Sequence, residues 1–350
     1  MRNFNPAFGP PPQQPKKSMA EIKFSVIVPV YNRPEELDEL LESLAAQTDQ
    51  DFETVVVEDG SSRDACGVVE KYAAALAPTY VAQANAGPAA ARNAGLAHAR
   101  GDYFVFFDSD CIVPPNYFSL VRTALEREKY DAYGGPERAM PGFSTFQKAT
   151  SYTMTAFLTT GGIRGGKRRV GSYQPRSYNM GLSRAAAEKT AGFDRSMRFG
   201  EDIDLSLRLY ASGFKVGLIN EAYVYHKRRT GPKSFFRQLS QFGQGRVDVA
   251  RRHRGALKLT HFFPSAFSLF TLSIPPLYGL YPGVGTAAAA VWAIYLAAVG
   301  VGAGLEYRSW AVGCTAPFAA LCQMLGYGTG FAGALLSRRF GKRAFAPPRH

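Results

Sequence analysis

Two carboxylates one residue apart, Asp108 and Asp110, close a run of aromatic and β-branched residues, Tyr103-Phe-Val-Phe-Phe107. Such a pair in a low-dielectric setting is costly unless a cation neutralises it, and oxygen donors of this kind suit Mg²⁺ or Mn²⁺ carrying phosphate groups. Asp-X-Asp is also common by chance as an exposed turn after a strand, so the pair needs context. A second carboxylate pair, Glu58-Asp59, follows the apolar run Phe52 to Val57. A third acidic stretch, Glu201-Asp202-Ile203-Asp204, stands where acids in a first helical turn are also favoured by the macrodipole.

The elements that must carry these groups are legible. Phe24 to Val30 reads as a strand, and Pro34 suits the start of a helix running to Gln47, with leucines at 37, 40, 41 and 44. Phe52 to Val57 and Thr79 to Gln83 read as strands, with Ser62 expected to cap an intervening helix to about Leu76. Gly87-Pro88 opens the next helix. Tyr103 to Phe107 lacks alternation, as expected of a parallel strand covered on both faces, and ligands sit at the carboxyl ends of such strands. Leu120 to Arg127 then reads as a helix, Tyr130 to Tyr133 as a strand, and Glu201 to Ala211 as a helix stopped by Gly213. Val216 to Ile219 and Ala222 to Tyr225 read as short strands. Alternation of this kind implies an α/β, doubly wound, mostly parallel sheet with flanking helices.

In order along the chain, Val26 to Asn32 (VIVPVYN), Glu58 to Ser62 (EDGSS), Asn85 to Gly95 (NAGPAAARNAG), Asp108 to Asp110 (DSD) and Gly200 to Asp204 (GEDID) resemble the motif series of family 2 glycosyltransferases, which have the GT-A fold. The resemblance covers roughly residues 24–226. It departs at Glu58, where the family commonly has Asp. It implies that Pro29, Val30, Tyr31 and Asp59 hold the nucleotide base, that Arg92 lies near base or phosphate, and that Asp108 faces ribose or metal. It further implies Asp110 as ligand of the divalent ion, Mg²⁺ or Mn²⁺, and Asp202 as the general base that deprotonates the acceptor. Tyr-Val-Tyr-His226 resembles the strand end that completes the metal site in some relatives, and Tyr178 to Gly181 an acceptor-side stretch. Single-sugar transfer is expected, because processive synthases of this family carry Gln-X-X-Arg-Trp after the acidic helix and the only tryptophans here are Trp292 and Trp310.

Composition bounds the partners. The chain has 350 residues and a net charge of +13, yet its basic residues do not interleave with a stacking platform, so no nucleic acid is expected. One basic cluster lies in Gly161 to Arg176, with Arg164, Lys167, Arg168, Arg169 and Arg176, a candidate lid over the donor or a solvated loop. The other runs from Lys227 to Lys258 among Phe235, Phe236, Leu239 and Phe242, an amphipathic pattern suited to a membrane surface. Residues 262–336 contain only Glu306 and Arg308 as full charges. Three segments there, 262–281, 286–305 and 311–336, are long enough to span a bilayer, the first interrupted by Pro275-Pro276. Basic flanks at both ends of this region favour the cytoplasm, which three full spans would not allow. The four cysteines form no CxxC pair, in keeping with a reducing cytosolic setting for the soluble part. The expected organisation is a disordered tail (1–20), a GT-A catalytic domain (21–230), a basic interfacial helix (231–260), two or three transmembrane segments (261–337) and a basic tail (338–350). The expected activity is inverting transfer from a nucleotide-diphosphate sugar to a saccharide or lipid-linked acceptor in cell-envelope glycan synthesis, at the cell membrane with the catalytic domain in the cytoplasm. Rival readings are a polyprenyl-phosphate glycosyltransferase, a processive synthase, a nucleotidyltransferase, and a non-catalytic nucleotide-binding scaffold.

Overall fold

The computed structural model describes residues 22–140, 142–161 and 173–337. The terminal tails and most of the Gly161 to Arg176 cluster lie outside the described residues.

Strand β1 (Phe24–Val30) leads into helix α1 (Pro34–Ala45), β2 (Phe52–Asp59), the short helices α2 (Cys66–Lys71) and α3 (Ala73–Leu76), β3 (Thr79–Gln83), α4 (Pro88–His98) and β4 (Tyr103–Phe107). Then come β5 (Cys111–Ile112), α5 (Tyr117–Glu128), β6 (Ala132–Gly134), β7 (Glu137–Arg138), α6 (Thr145–Thr155), α7 (Phe157–Thr160), β8 (Asn179–Ser183), α8 (Arg184–Thr190), α9 (Glu201–Ala211), β9 (Val216–Leu218) and β10 (Val224–His226). Four long helices follow: α10 (Pro232–Arg252), α11 (Phe263–Leu280), α12 (Pro282–Tyr307) and α13 (Trp310–Leu336).

A seven-stranded sheet runs in the order β3-β2-β1-β4-β8-β6-β9, parallel except where β8 meets β4 and β6. The missing alternation in β4 has a direct cause. Tyr103, Val105 and Phe107 enter the core beneath α1 and α5, whereas Phe104 and Phe106 enter the opposite core with α4 and α9. Val26, Val28 and Ile27 of β1 divide between the two cores in the same way. With both faces covered, polar positions within these strands would be unsatisfied, so nearly all are apolar. A second sheet of three short strands, β5-β10-β7, joins the end of the Asp-Ser-Asp turn to His226 and Glu137.

Some expectations are corrected. Ser62 does not cap a helix: its N–H and Oγ–H both donate to Asn32 Oδ1 at 2.9 Å, and α2 begins only at Cys66. Helix α5 starts at Tyr117 rather than Leu120, and β6 is shifted to Ala132–Gly134. Pro275 and Pro276 lie inside the continuous helix α11 instead of breaking it. Helix α10 forms as the basic amphipathic pattern predicts, but much of its apolar stripe is covered by protein, Phe236 staying exposed. Phe235 and Leu239 pack with Met154 of α6, Val249 with Met197 and Ile203, and Val247 with Phe331 and Ala334 of α13. Among the described residues two helices, α12 and α13, are long and apolar enough to cross a membrane.

Candidate active site

The sheet's carboxyl edge is assembled by side chains that tie one loop to the next. Asn32, at φ 54°, receives the backbone N–H of Ser62 and of Arg63 on Oδ1 and donates its own N–H to Ser61 Oγ at 2.7 Å. This fixes the Tyr31 loop against the loop after β2. Gly60 has φ +71°, and a Cβ there would come within 2.5 Å of the Asn85 backbone nitrogen, so the turn both needs a left-handed residue and has no room for a side chain. Asp59 in turn accepts from Gln83 Nε2 at 2.6 Å and from the backbone N–H groups of Ala86 and Gly87 at 2.9 Å. The variant Glu58 is buried, and its carboxylate accepts from the Ala65 N–H at 2.9 Å and from the Ser61 hydroxyl. Its extra methylene is therefore used to brace the loop.

Asp110 is the focus of the second assembly. Its Oδ2 pairs with Arg33 Nη1 at 2.5 Å, and its Oδ1 lies 3.2 Å from His226 Nε2. That Oδ1 atom is buried without a hydrogen-bond partner among the described residues, since the histidine contact lacks hydrogen-bond geometry. The other ring nitrogen, Nδ1, meets Glu137 Oε2 at 3.1 Å, while Glu137 Oε1 pairs with Arg228 at 2.6 Å. Tyr178 stacks on the imidazole with centroids 4.7 Å apart. Burial would lower the histidine's pKa, but Asp110 and Glu137 outweigh it and hold the protonated ring up to about 10. Burial likewise opposes ionisation of Asp110, yet His226 and Arg33 hold its carboxyl well below the usual range.

An orphaned carboxylate oxygen facing an imidazole nitrogen, with the far nitrogen held by a second carboxylate, is a donor set that fits a divalent ion, which would displace the proton from Nε2 on binding. Cys111 Sγ lies in the same cluster, but burial pushes its thiol well up and it donates to the Tyr178 carbonyl at 3.5 Å. It is a neutral packing group.

On the facing side, Arg92 is buried between two acids, 2.7 Å from Asp108 and 3.0 Å from Glu201. It thereby couples the end of β4 to the start of α9, so its guanidinium organises carboxylates at the cleft wall. Burial raises the Glu201 pKa; Arg92 opposes the shift and neighbouring Asp202 adds to it. Asp202 faces the cleft, with Oδ1 3.6 Å from Arg176 Nη1 and accepting its neighbour Ile203's N–H at 2.7 Å. Asp204 points elsewhere, bound to Arg208 at 2.8 Å and His253 at 2.7 Å.

Pro29, Val30, Tyr31, Asp59, Arg92, Asp108, Asp110, Asp202 and His226 thus all line one cleft of about 2280 Å³. Sequence reasoning missed Arg33, Glu137, Arg228 and Arg229, which line it too. Glu137 was signalled only by Gly134-Gly135-Pro136, a turn immediately before it. Asn179, in the stretch expected on the acceptor side, is structural: it accepts from Tyr117 at 2.6 Å and donates to the Ala222 carbonyl at 2.8 Å.

Comparison with known proteins agrees with this architecture. Residues 25–194 match the model of glycosyl transferase family 2. The chain is 25% identical over 319 residues to the succinoglycan biosynthesis protein ExoA of Rhizobium meliloti, covering 90% of this chain and 95% of that one. It is 42% identical over 119 residues to glycosyltransferase GlyA of Streptococcus pneumoniae, but spans only 17% of that protein's length. A mannosyltransferase from Pyrobaculum calidifontis, solved with GDP-Man and Mn²⁺, superposes with a TM-score of 0.60 at 20% identity, over 87% of each chain. Residues 25–194 are thus a family 2 glycosyltransferase domain, and the chain has the GT-A fold.

Proposed function

We propose that the chain is an inverting, metal-dependent glycosyltransferase that moves one sugar from a nucleotide-diphosphate donor to an acceptor hydroxyl in cell-envelope glycan synthesis. The observation that carries this reading is the pairing across one cleft of the Asp110–His226–Glu137 array with Asp202. Similarity to a succinoglycan biosynthesis protein over nearly the whole chain supports the envelope assignment.

Asp110 and His226 would hold the ion, Glu137 fixing the ring so that Nε2 faces it. When bound, a divalent ion supplies positive charge to the departing diphosphate. An imidazole donor suits Mn²⁺ better than Mg²⁺, which prefers oxygen alone. Arg33 and Arg229, both beside Asp110, bring further positive charge to the same end of the cleft. The base is assigned to the pocket formed by Tyr31, Asp59 and the loop at Asn85, and the ribose to Asp108. Asp202 takes the proton from the acceptor hydroxyl as that oxygen attacks the anomeric carbon from the face opposite the diphosphate, which inverts its configuration. Arg176, on the flank of Asp202, keeps its carboxylate oriented.

The same reading anchors the protein in the membrane through α12 and α13, with the catalytic part in the cytoplasm; the exposed Lys233 and Arg237 on α10 suit anionic headgroups. The test is a panel of sugar nucleotides with Mn²⁺ or Mg²⁺, following release of nucleoside diphosphate and the anomeric configuration of the product. Release of pyrophosphate, retention at the anomeric carbon, or undiminished turnover in chelator would each refute part of it.

A further inference from the structure

The cleft is larger than a donor requires. Ligand pockets usually hold roughly 300–1,000 Å³, and this one, at about 2280 Å³, continues past Asp202 to Phe242, Arg246, Phe263, Tyr295 and Tyr327 on α10 to α13. Within that extension Arg246 is anomalous. It is 8% exposed, lines the cleft, and forms no ion pair with a carboxylate among the described residues. It is hydrogen-bonded to the Tyr327 side chain and feels the charges of a second arginine, Arg176, and of Asp202. Burial and Arg176 disfavour its charge, while Tyr327 and Asp202 favour it, and the net effect is a lowered pKa. His261, also buried and lining the cleft, is kept neutral by burial and by the positive charges of Arg246 and Lys258, with its pKa lowered to about 3. A buried guanidinium left without a counter-charge is expensive, and its fork of donors matches a phosphate.

Arg33, Arg229 and the Asp110–His226 array lie at the donor's diphosphate end of the cleft, whereas Arg246 lies on the Asp202 side. Helix α10 is held there by close packing, since a Cβ on Gly245 would come within 2.8 Å of Phe199, next to the Gly200 that starts α9. Resting on the glycosyltransferase reading above, we propose that the acceptor is an anionic amphiphile whose phosphate is received by Arg246 beside Arg176, with its apolar chain along Phe242, Phe263 and Tyr295 and its hydroxyl within reach of Asp202.

The same phosphate chemistry could come from the donor, so the experiment has two arms. Full-length wild type, R246Q and R246K in neutral maltoside micelles are titrated by calorimetry with dodecyl phosphate and dodecanol, and separately with UDP and GDP in the presence of Mn²⁺. The expected result is at least tenfold preference of wild type for dodecyl phosphate over dodecanol, abolished in R246Q and partly kept in R246K, with nucleotide affinity within twofold in all three. R246Q should also melt no lower than wild type, because it removes an uncompensated buried charge, which a purely structural arginine would not do. Should R246Q melt lower, R246K decides: preference kept supports the proposal, and preference lost overturns it. No preference in wild type, or preference surviving in R246Q, overturns it. Loss of nucleotide affinity in R246Q would reassign Arg246 to the donor diphosphate and overturn it equally. Wild type that binds neither UDP nor GDP would refute the donor reading, while the dodecyl phosphate arm, which needs no turnover, still decides the role of Arg246.

Discussion

At the scale of single residues, the site separates groups that would do chemistry from groups that aim them. Asp202 is the proposed base, and an amide in its place keeps size and polarity but cannot accept a proton. Asp202→Asn should lower kcat by about a hundredfold to ten-thousandfold while donor affinity stays near wild type. Calorimetric donor binding beside turnover tests this: retained kcat would remove the base assignment, and lost binding would place the residue in the donor site. Glu137 touches no substrate in this reading and acts through His226. Glu137→Gln should therefore weaken Mn²⁺ binding by about ten- to a hundredfold, the usual effect of removing a carboxylate behind a ligating imidazole. Electron paramagnetic resonance of free Mn²⁺ reads this without any assay of transfer, and unchanged affinity would disconnect Glu137 from the metal. The two residues also differ in how visible they are before folding. Asp202 stands in an acidic run at a helix start, whereas Glu137 lies on a two-residue strand whose pairing with β10 is set by tertiary contacts alone.

Among the elements, the sheet was legible because its determinants are local. Apolar runs end in carboxylates or glycines, and the intervening helices announce themselves by leucine spacing and proline at their starts. The three-stranded sheet was not, since strands of two or three residues carry too little pattern to be distinguished from loop. The seat of α10 was also hidden. Its basic, aromatic composition suits a membrane surface equally well, and what draws it onto protein is a set of glycines with no hydrophobicity to signal them. A Cβ on Gly330 of α13 would come within 2.1 Å of the Ser240 carbonyl, and one on Gly243 of α10 within 2.4 Å of the Tyr327 carbonyl. The backbones approach closely because these side chains are absent. Gly330→Leu should thus force α10 away from α13 and cost about 1–3 kcal/mol or more, seen as a lower melting temperature in micelles. Gly333→Leu, one turn on with nothing within 4 Å, is the control and should melt like wild type. Equal melting of the two variants would mean that the helices are not packed this tightly.

For the whole molecule, the question is whether the catalytic part can stand alone. A cut after Arg229 looks natural from the sequence, where charge-rich sheet gives way to apolar helices, and the two sheet cores indeed draw all their residues from before that point. The packing around α6 argues otherwise. Ala149 and Tyr152 share a core with Val299 and Ala303 of α12 and with Val312 and Ala316 of α13, while Met154 packs on Phe235 and Leu239 of α10. A Cβ on Gly302 would come within 2.0 Å of the Tyr152 hydroxyl, so α6 is seated directly against the apolar bundle. Truncation would expose this face beside Phe157, already 67% exposed, and leave a contiguous apolar patch of the kind that drives association. Residues 1–229 should therefore retain the sheet by circular dichroism and bind nucleotide, yet sediment as oligomers or with membranes. The same fragment carrying Tyr152→Glu and Phe146→Lys, at the α6 ring that meets Phe235 of α10 and Phe318 of α13, should become monomeric with nucleotide affinity unchanged. Analytical ultracentrifugation of both fragments beside nucleotide titration tests the argument. A monomeric unmodified fragment would show that α6 contributes little to the junction, and loss of the sheet in both would show that α10 to α13 are part of the catalytic fold itself.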